Sequence, residues 1–158
     1  MTGGTFPRYD YRAPRSTANS TYARIREMHH RTFVLTLAAV AVLMAKHAVA
    51  DFYLQTPYQF LNKGTYGHPG GYLHAGIHAA LTPFVYLVLV PGSLLLVAGI
   101  TLAEFAVHYH VDWFKEQVMQ RNGWTSQDRG FWYALGTDQF VHGLTYLVIV
   151  AVLIVASA

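Results

Sequence analysis

The sequence predicts an all-α protein: a four-helix transmembrane bundle running up, down, up and down, preceded by a basic polar tail over residues 1–31. Three observations predict it. Of 158 residues, 53% are hydrophobic and only 12% are charged, about half the charged share of a soluble average. The apolar residues fall into runs of membrane-spanning length. Three groups of helix breakers, at 55–71, 91–92 and 122–125, separate those runs.

The tail carries Arg8, Arg12, Arg15, Arg24, Arg26 and Arg31. It lacks the short basic start, short apolar core and small-residue cleavage site of a secretory signal. Met1 to about Ser20 reads as disordered, and Thr21 to Arg31 as a short interfacial helix leading into the membrane. The membrane domain occupies 32–158. Its first span, about 32–54, stops before Thr56-Pro57, because a residue preceding proline is driven out of the helical region. Gly64, Gly67, Pro69, Gly70 and Gly71 make 55–71 a loop. The second span, about 72–90, ends at the Pro91-Gly92 turn. The third, about 93–121, stops at Asn122-Gly123. The fourth, about 126–156, begins after Thr125-Ser126, and Trp132 and Tyr133 suit an interfacial position near its start.

Ionisable groups inside such spans are costly and are functional by default. Each span carries a pair at i, i+4: His47 with Asp51, His74 with His78, His108 with Asp112, and Asp138 with His142. Residues four apart stack on one helix face. In an alternating bundle the four pairs reach a similar depth, roughly 17–30 Å above the opposite helix ends. Five histidines and three carboxylates suffice for one or two transition-metal ions, with zinc, iron or manganese suited to the mixed donor set. The competing reading is a hydrogen-bonded network in which histidine and aspartate satisfy each other, or in which an aspartate only orients a histidine ring. Glu104, about 6 Å below His108 by helix rise, is a candidate catalytic base; its alternative is an ion pair with Lys46. Pro83 removes a helix hydrogen bond to Ala79, beside His78. Gln55 suits a hydrogen bond at the rim and Lys115 an anionic headgroup.

These blocks, His47-x-x-x-Asp51-Phe52-x-x-Gln55, His74-x-x-x-His78, His108-x-x-x-Asp112-x-x-Lys115 and Asp138-Gln139-x-x-His142, resemble an uncharacterised family of small multi-pass membrane proteins of bacteria and their phages, known as a domain of unknown function. The resemblance covers about residues 35–155. It implies four membrane helices with polar positions at these residues and no established activity. A looser similarity is to predicted membrane-bound metal-dependent hydrolases.

The absence of cysteine excludes disulfides and thiolate metal sites. The formal charge of +3 comes from scattered residues, so no nucleic-acid surface is expected. The leading functional expectation is a metal-dependent hydrolase of a lipid or lipid-linked substrate. The alternatives are a haem or di-iron redox protein, a proton or metal-ion carrier acting as a homo-oligomer, and a phage membrane factor acting through partners. Arginines before the first span favour a bacterial inner-membrane protein with both termini cytoplasmic.

Overall fold

The structure, a computed structural model, describes residues 15–156. The first fourteen residues of the expected disordered tail lie outside it. From Arg15 onward that expectation is replaced by helix: α1 runs Arg15–Val49 without interruption. No glycine or proline occurs between Pro14 and Pro57, and those are the residues that most strongly break a helix. By contacts the chain divides into two compact units at Val34/Leu35. In the first unit the side chains of residues 19–34 are exposed. All the paired residues lie in the second.

α1 ends in one π-helical turn, Ala50–Leu54. Gln55 is extended, and Thr56 then starts a helix inside the stretch expected to be loop. This is α2, Pro57–Asn62, closed by a capping box in which the Thr56 hydroxyl accepts from Gln59 N–H and the Gln59 side chain accepts from Thr56 N–H. Thr56-Pro57-x-Gln59 carries the local signal for such a start: a capping Thr, proline at the first helical position and Gln three residues on. His68 caps α3, Pro69–Leu81, its Nδ1 accepting from Gly70 N–H at 3.0 Å. Gly71 lets α3 approach α4 closely, because a Cβ there would lie 3.0 Å from the Tyr109 ring.

The second expected span is not one α-helix. At Thr82 the chain tightens into a 3₁₀ helix, Thr82–Leu87. Pro83 has no N–H to give the Ala79 carbonyl, and Thr82 N–H takes that acceptor instead. Ser93 caps α4, Leu94–Asn122, which ends on Gly123 in the left-handed conformation at φ 65°. The last helix, α5, is Arg129–Ala156. α4 packs against both α3 and α5, and α2 packs against α3.

Three helical stretches, Asn19–Leu54, Leu94–Asn122 and Arg129–Ala156, are long and apolar enough to cross a membrane. Only 17–28% of their most apolar windows is buried within the protein. Leu94, Leu95, Leu102, Phe140, Val148 and Val155 point outward, while lysine, histidine, aspartate and glutamate are buried. Water would penalise both halves of that arrangement. A bilayer favours the outer half and requires the inner groups to find partners.

The interior is graded along the helices. Ala39 and Leu43 of α1, Val85 and Leu89, Ile100 of α4, and Tyr146, Ile149, Val150 and Leu153 of α5 form an apolar core. One turn further along each element the buried residues become polar.

Candidate metal centre

The first polar layer is an ion pair. Lys46 of α1 contacts one oxygen of Glu104 and donates to the His78 carbonyl at 2.9 Å and Thr82 Oγ1 at 2.8 Å. Thr82 Oγ1 donates to the other Glu104 oxygen. Both carboxylate oxygens are thus engaged by buried partners. Glu104, the expected catalytic base, is buried and makes the contact with Lys46 that is its alternative reading. It ties α4 to α1 and to the 3₁₀ start one turn from His108 and His78.

The next layer holds the histidines. His78 Nε2 lies 3.1 Å from Asp51 Oδ1, His74 Nε2 lies 3.4 Å from the same oxygen, and the Nε2 atoms of His74 and His108 are 3.3 Å apart. Two donors sharing a tetrahedral ion at about 2.0–2.1 Å are about 3.3 Å from each other. Asp51, His74, His78 and His108 therefore form one candidate ligand group. His108, Asp112 and His142 form a second. Asp112 touches both groups: its Oδ2 is 2.9 Å from His74 Nε2 and its Oδ1 is 3.4 Å from His142 Nε2. A carboxylate can serve two ions through its two oxygens, whereas one imidazole nitrogen serves one ion.

The π-helical turn carries Asp51. Such turns insert one residue into an α-helix and re-aim the side chains beyond it, often at functional sites. No sequence periodicity marks it.

His47 and Asp138 border the two ligand groups, His47 against Asp51 and Asp138 against His142. Gln139 Nε2 lies 3.1 Å from Asp51 Oδ2 and 3.3 Å from Asp138 Oδ2. Carboxylate oxygens only accept, so the amide nitrogen is the donor to both. Gln139 Oε1 must then accept from His47 Nε2 at 2.9 Å, which places the proton on that nitrogen. His47 Nδ1 is left to accept from the Tyr146 hydroxyl at 2.8 Å. His47 Nε2 is also 3.1 Å from Asp51 Oδ2, so His47 helps to orient Asp51. Asp138 Oδ1 is buried, has no hydrogen-bond partner, and lies 3.6 Å from His142 Nε2. A buried, unpartnered carboxylate oxygen beside a ligand group is a position that a cation satisfies.

Two lysines close the far side. Lys63, at the end of α2, is 3.3 Å from Asp112 Oδ2, and Lys115 is 3.7 Å from Asp138 Oδ2 and 3.3 Å from Glu116. Lys63 and Tyr146 are site residues that sequence reasoning does not single out, and Gln139 enters it only through the Asp138-Gln139-x-x-His142 block. The α2 capping box points to Lys63, and Gln139 comes directly after Asp138. Gln55 Nε2 is 3.4 Å from His74 Nδ1. His110 is exposed and bonds the Ala106 carbonyl at 2.7 Å; it lies outside the cluster, as do the exposed His29 and His30 and the capping His68.

The rings themselves are close, with centroids 3.7 Å apart for His78 and His108 and 4.1 Å for His108 and His142. The Nδ1 atoms of His78 and His108 are buried without partners, unlike most ligating histidines, whose second nitrogen donates outward.

Residues 39–158 match a family described as protein of unknown function (DUF3307). No curated protein and no solved structure matches the chain.

Proposed function

The chain belongs to the DUF3307 family, whose function is unknown, and from that premise we propose that it is a multi-pass membrane protein holding two divalent transition-metal ions. The carrying observation is the group Asp51, His74, His78 and His108, in which the His78–Asp51, His74–Asp51 and His74–His108 contacts of 3.1, 3.4 and 3.3 Å are each close to the edge of a tetrahedral site. Asp112 and His142, with Asp138 beside them, would hold the second ion. Closely packed rings suit separate ions; a haem plane would need the space that the rings fill.

In this reading α1, α3 with its 3₁₀ extension, α4 and α5 form a four-helix, up-down-up-down membrane bundle. The polar ends of all four then meet at one depth. The expected reaction is hydrolysis of a lipid or lipid-linked substrate. Bound metal supplies a water acidic enough to ionise near neutral pH and polarises a phosphoryl or carbonyl oxygen. The chain's own part is to hold the donor set rigid. His47, Gln139 and Tyr146 orient Asp51, and Lys46, Thr82 and Glu104 lock the helices below it. Lys63 and Lys115 place positive charge beside Asp112 and Asp138. Zinc, iron and manganese all fit the donors.

The test is elemental analysis of detergent-purified protein alongside His78→Ala and Asp112→Asn. Stoichiometric metal in the parent and its loss in both folded variants supports the centre; equal metal in all three refutes it.

A further inference from the structure

Between α4 and α5 runs an apolar crevice of about 520 Å³, in the size range of small-ligand sites. Phe114 and Val118 of α4 and Ala134 and Val141 of α5 form its walls, and Lys115 and Asp138 also line it. Those two polar residues connect the crevice to the cluster, because Asp138 contacts His142 and Lys115 contacts Asp138. A second lysine, Lys63, stands on Asp112 of the same ligand group. The crevice thus joins apolar walls, on helices apolar enough to cross a membrane, to a buried charged end.

We propose that this crevice binds one acyl chain of an anionic, phosphate-bearing lipid and delivers its phosphate to Lys115, Lys63 and the His108–Asp112–His142 group. The proposal deepens the metal-centre reading and rests on it for its net positive charge. Lys63 and Lys115 contribute two positive charges and two divalent ions contribute four. The neighbouring carboxylates Asp51, Asp112, Glu116 and Asp138 contribute four negative charges. Two positive charges remain, in a setting where an uncompensated charge is costly. A phosphate group supplies the balance and accepts hydrogen bonds from both lysines. Lys46 adds nothing to this sum because Glu104 neutralises it. The acyl chain fits the walls for the ordinary hydrophobic reason.

Trp124 lines the crevice and provides the reporter. The full-length protein would be reconstituted in phosphatidylcholine vesicles. Phosphatidic acid or phosphatidylcholine with brominated acyl chains, which quench tryptophan, would be added, and metal content measured on the same samples. Trp124→Phe isolates the relevant signal from Trp113 and Trp132. The expected result is half-maximal quenching of Trp124 at a several-fold lower fraction of phosphatidic acid than of phosphatidylcholine. Lys115→Gln should abolish that preference, and Ala134→Phe, which fills a wall, should reduce quenching by both lipids. Glycerol phosphate, which has the headgroup and no chain, should compete poorly. Equal quenching by the two lipids, a preference unchanged in Lys115→Gln, or competition by glycerol phosphate as strong as by the lipid overturns the proposal. A metal-free protein overturns the metal centre and, with it, the charge balance on which the preference for phosphate rests. A metal-loaded protein without the preference overturns the lipid site and leaves the metal centre standing.

Discussion

The Nε2 atoms of His74 and His108 face each other across 3.3 Å, with Asp112 Oδ2 only 2.9 Å from the first. A proton on His74 Nε2 can satisfy Asp112, but then His108 Nε2 must be bare or collide with it. Its proton would move to Nδ1, which is buried and has no acceptor. Hydrogen bonding alone leaves this pair unresolved, and a shared ion resolves the Nε2 side. His108→Ala should therefore lower bound metal by about one ion. His108→Gln should not restore it, although the amide can still hydrogen-bond. Metal content per folded protein checks both.

The Lys46–Glu104 pair joins α1 to α4. Removing one partner leaves a buried charge and should cost about 3–5 kcal/mol, whereas replacing both with apolar residues should cost far less. Glu104→Leu alone should lower the thermal midpoint in detergent strongly, and Lys46→Met with Glu104→Leu should recover most of the loss. A Glu104→Gln protein that keeps its fold and metal but loses all hydrolysis would assign Glu104 the catalytic role expected from the sequence.

Tyr146 acts through His47. Tyr146→Phe removes the hydroxyl that donates to His47 Nδ1 and should destabilise by about 1–3 kcal/mol, the cost of an unpaired buried group. By loosening Asp51 it should also weaken metal binding by about 10–100-fold. Competition with a chelator of known affinity gives the second number, and denaturant unfolding the first.

The apolar spans and their polar pairs are legible in the sequence because both have simple periods. Runs of apolar residues mark membrane length, and four-residue spacing puts His74 with His78 and Asp138 with His142 on shared faces. Lys46 meets Glu104, as the similar depth of their helices suggests. Other features have no such period. The π-helical turn at Asp51 is a tertiary adjustment, invisible to helical spacing. The placement of the His47 proton depends on which way the Gln139 amide points, and that is settled only by the two carboxylates around it. Lys63 is hidden because the glycines after it outweigh the short capping signal before it. The 3₁₀ stretch at Thr82–Leu87 arises from Pro83, whose local effect is predictable but whose extent is not.

An alternating bundle places the 91–92 turn on one side of the membrane and the two longer connections on the other. The chain contains no cysteine, so single-cysteine labelling needs no background removal. Gly92→Cys should react with an impermeant thiol reagent from one side, and Thr65→Cys and Ser126→Cys from the opposite side. Labelling of all three from one side would contradict the topology.

Metal content of the full-length protein, purified in detergent at neutral pH without chelator, decides between a metal centre and a hydrogen-bond network. A two-metal centre predicts close to two equivalents of zinc, iron or manganese per chain, falling sharply in His74→Ala while circular dichroism stays that of a folded helical protein. A metal-free protein with the same helical signature would contradict it and leave the histidines and aspartates to satisfy one another.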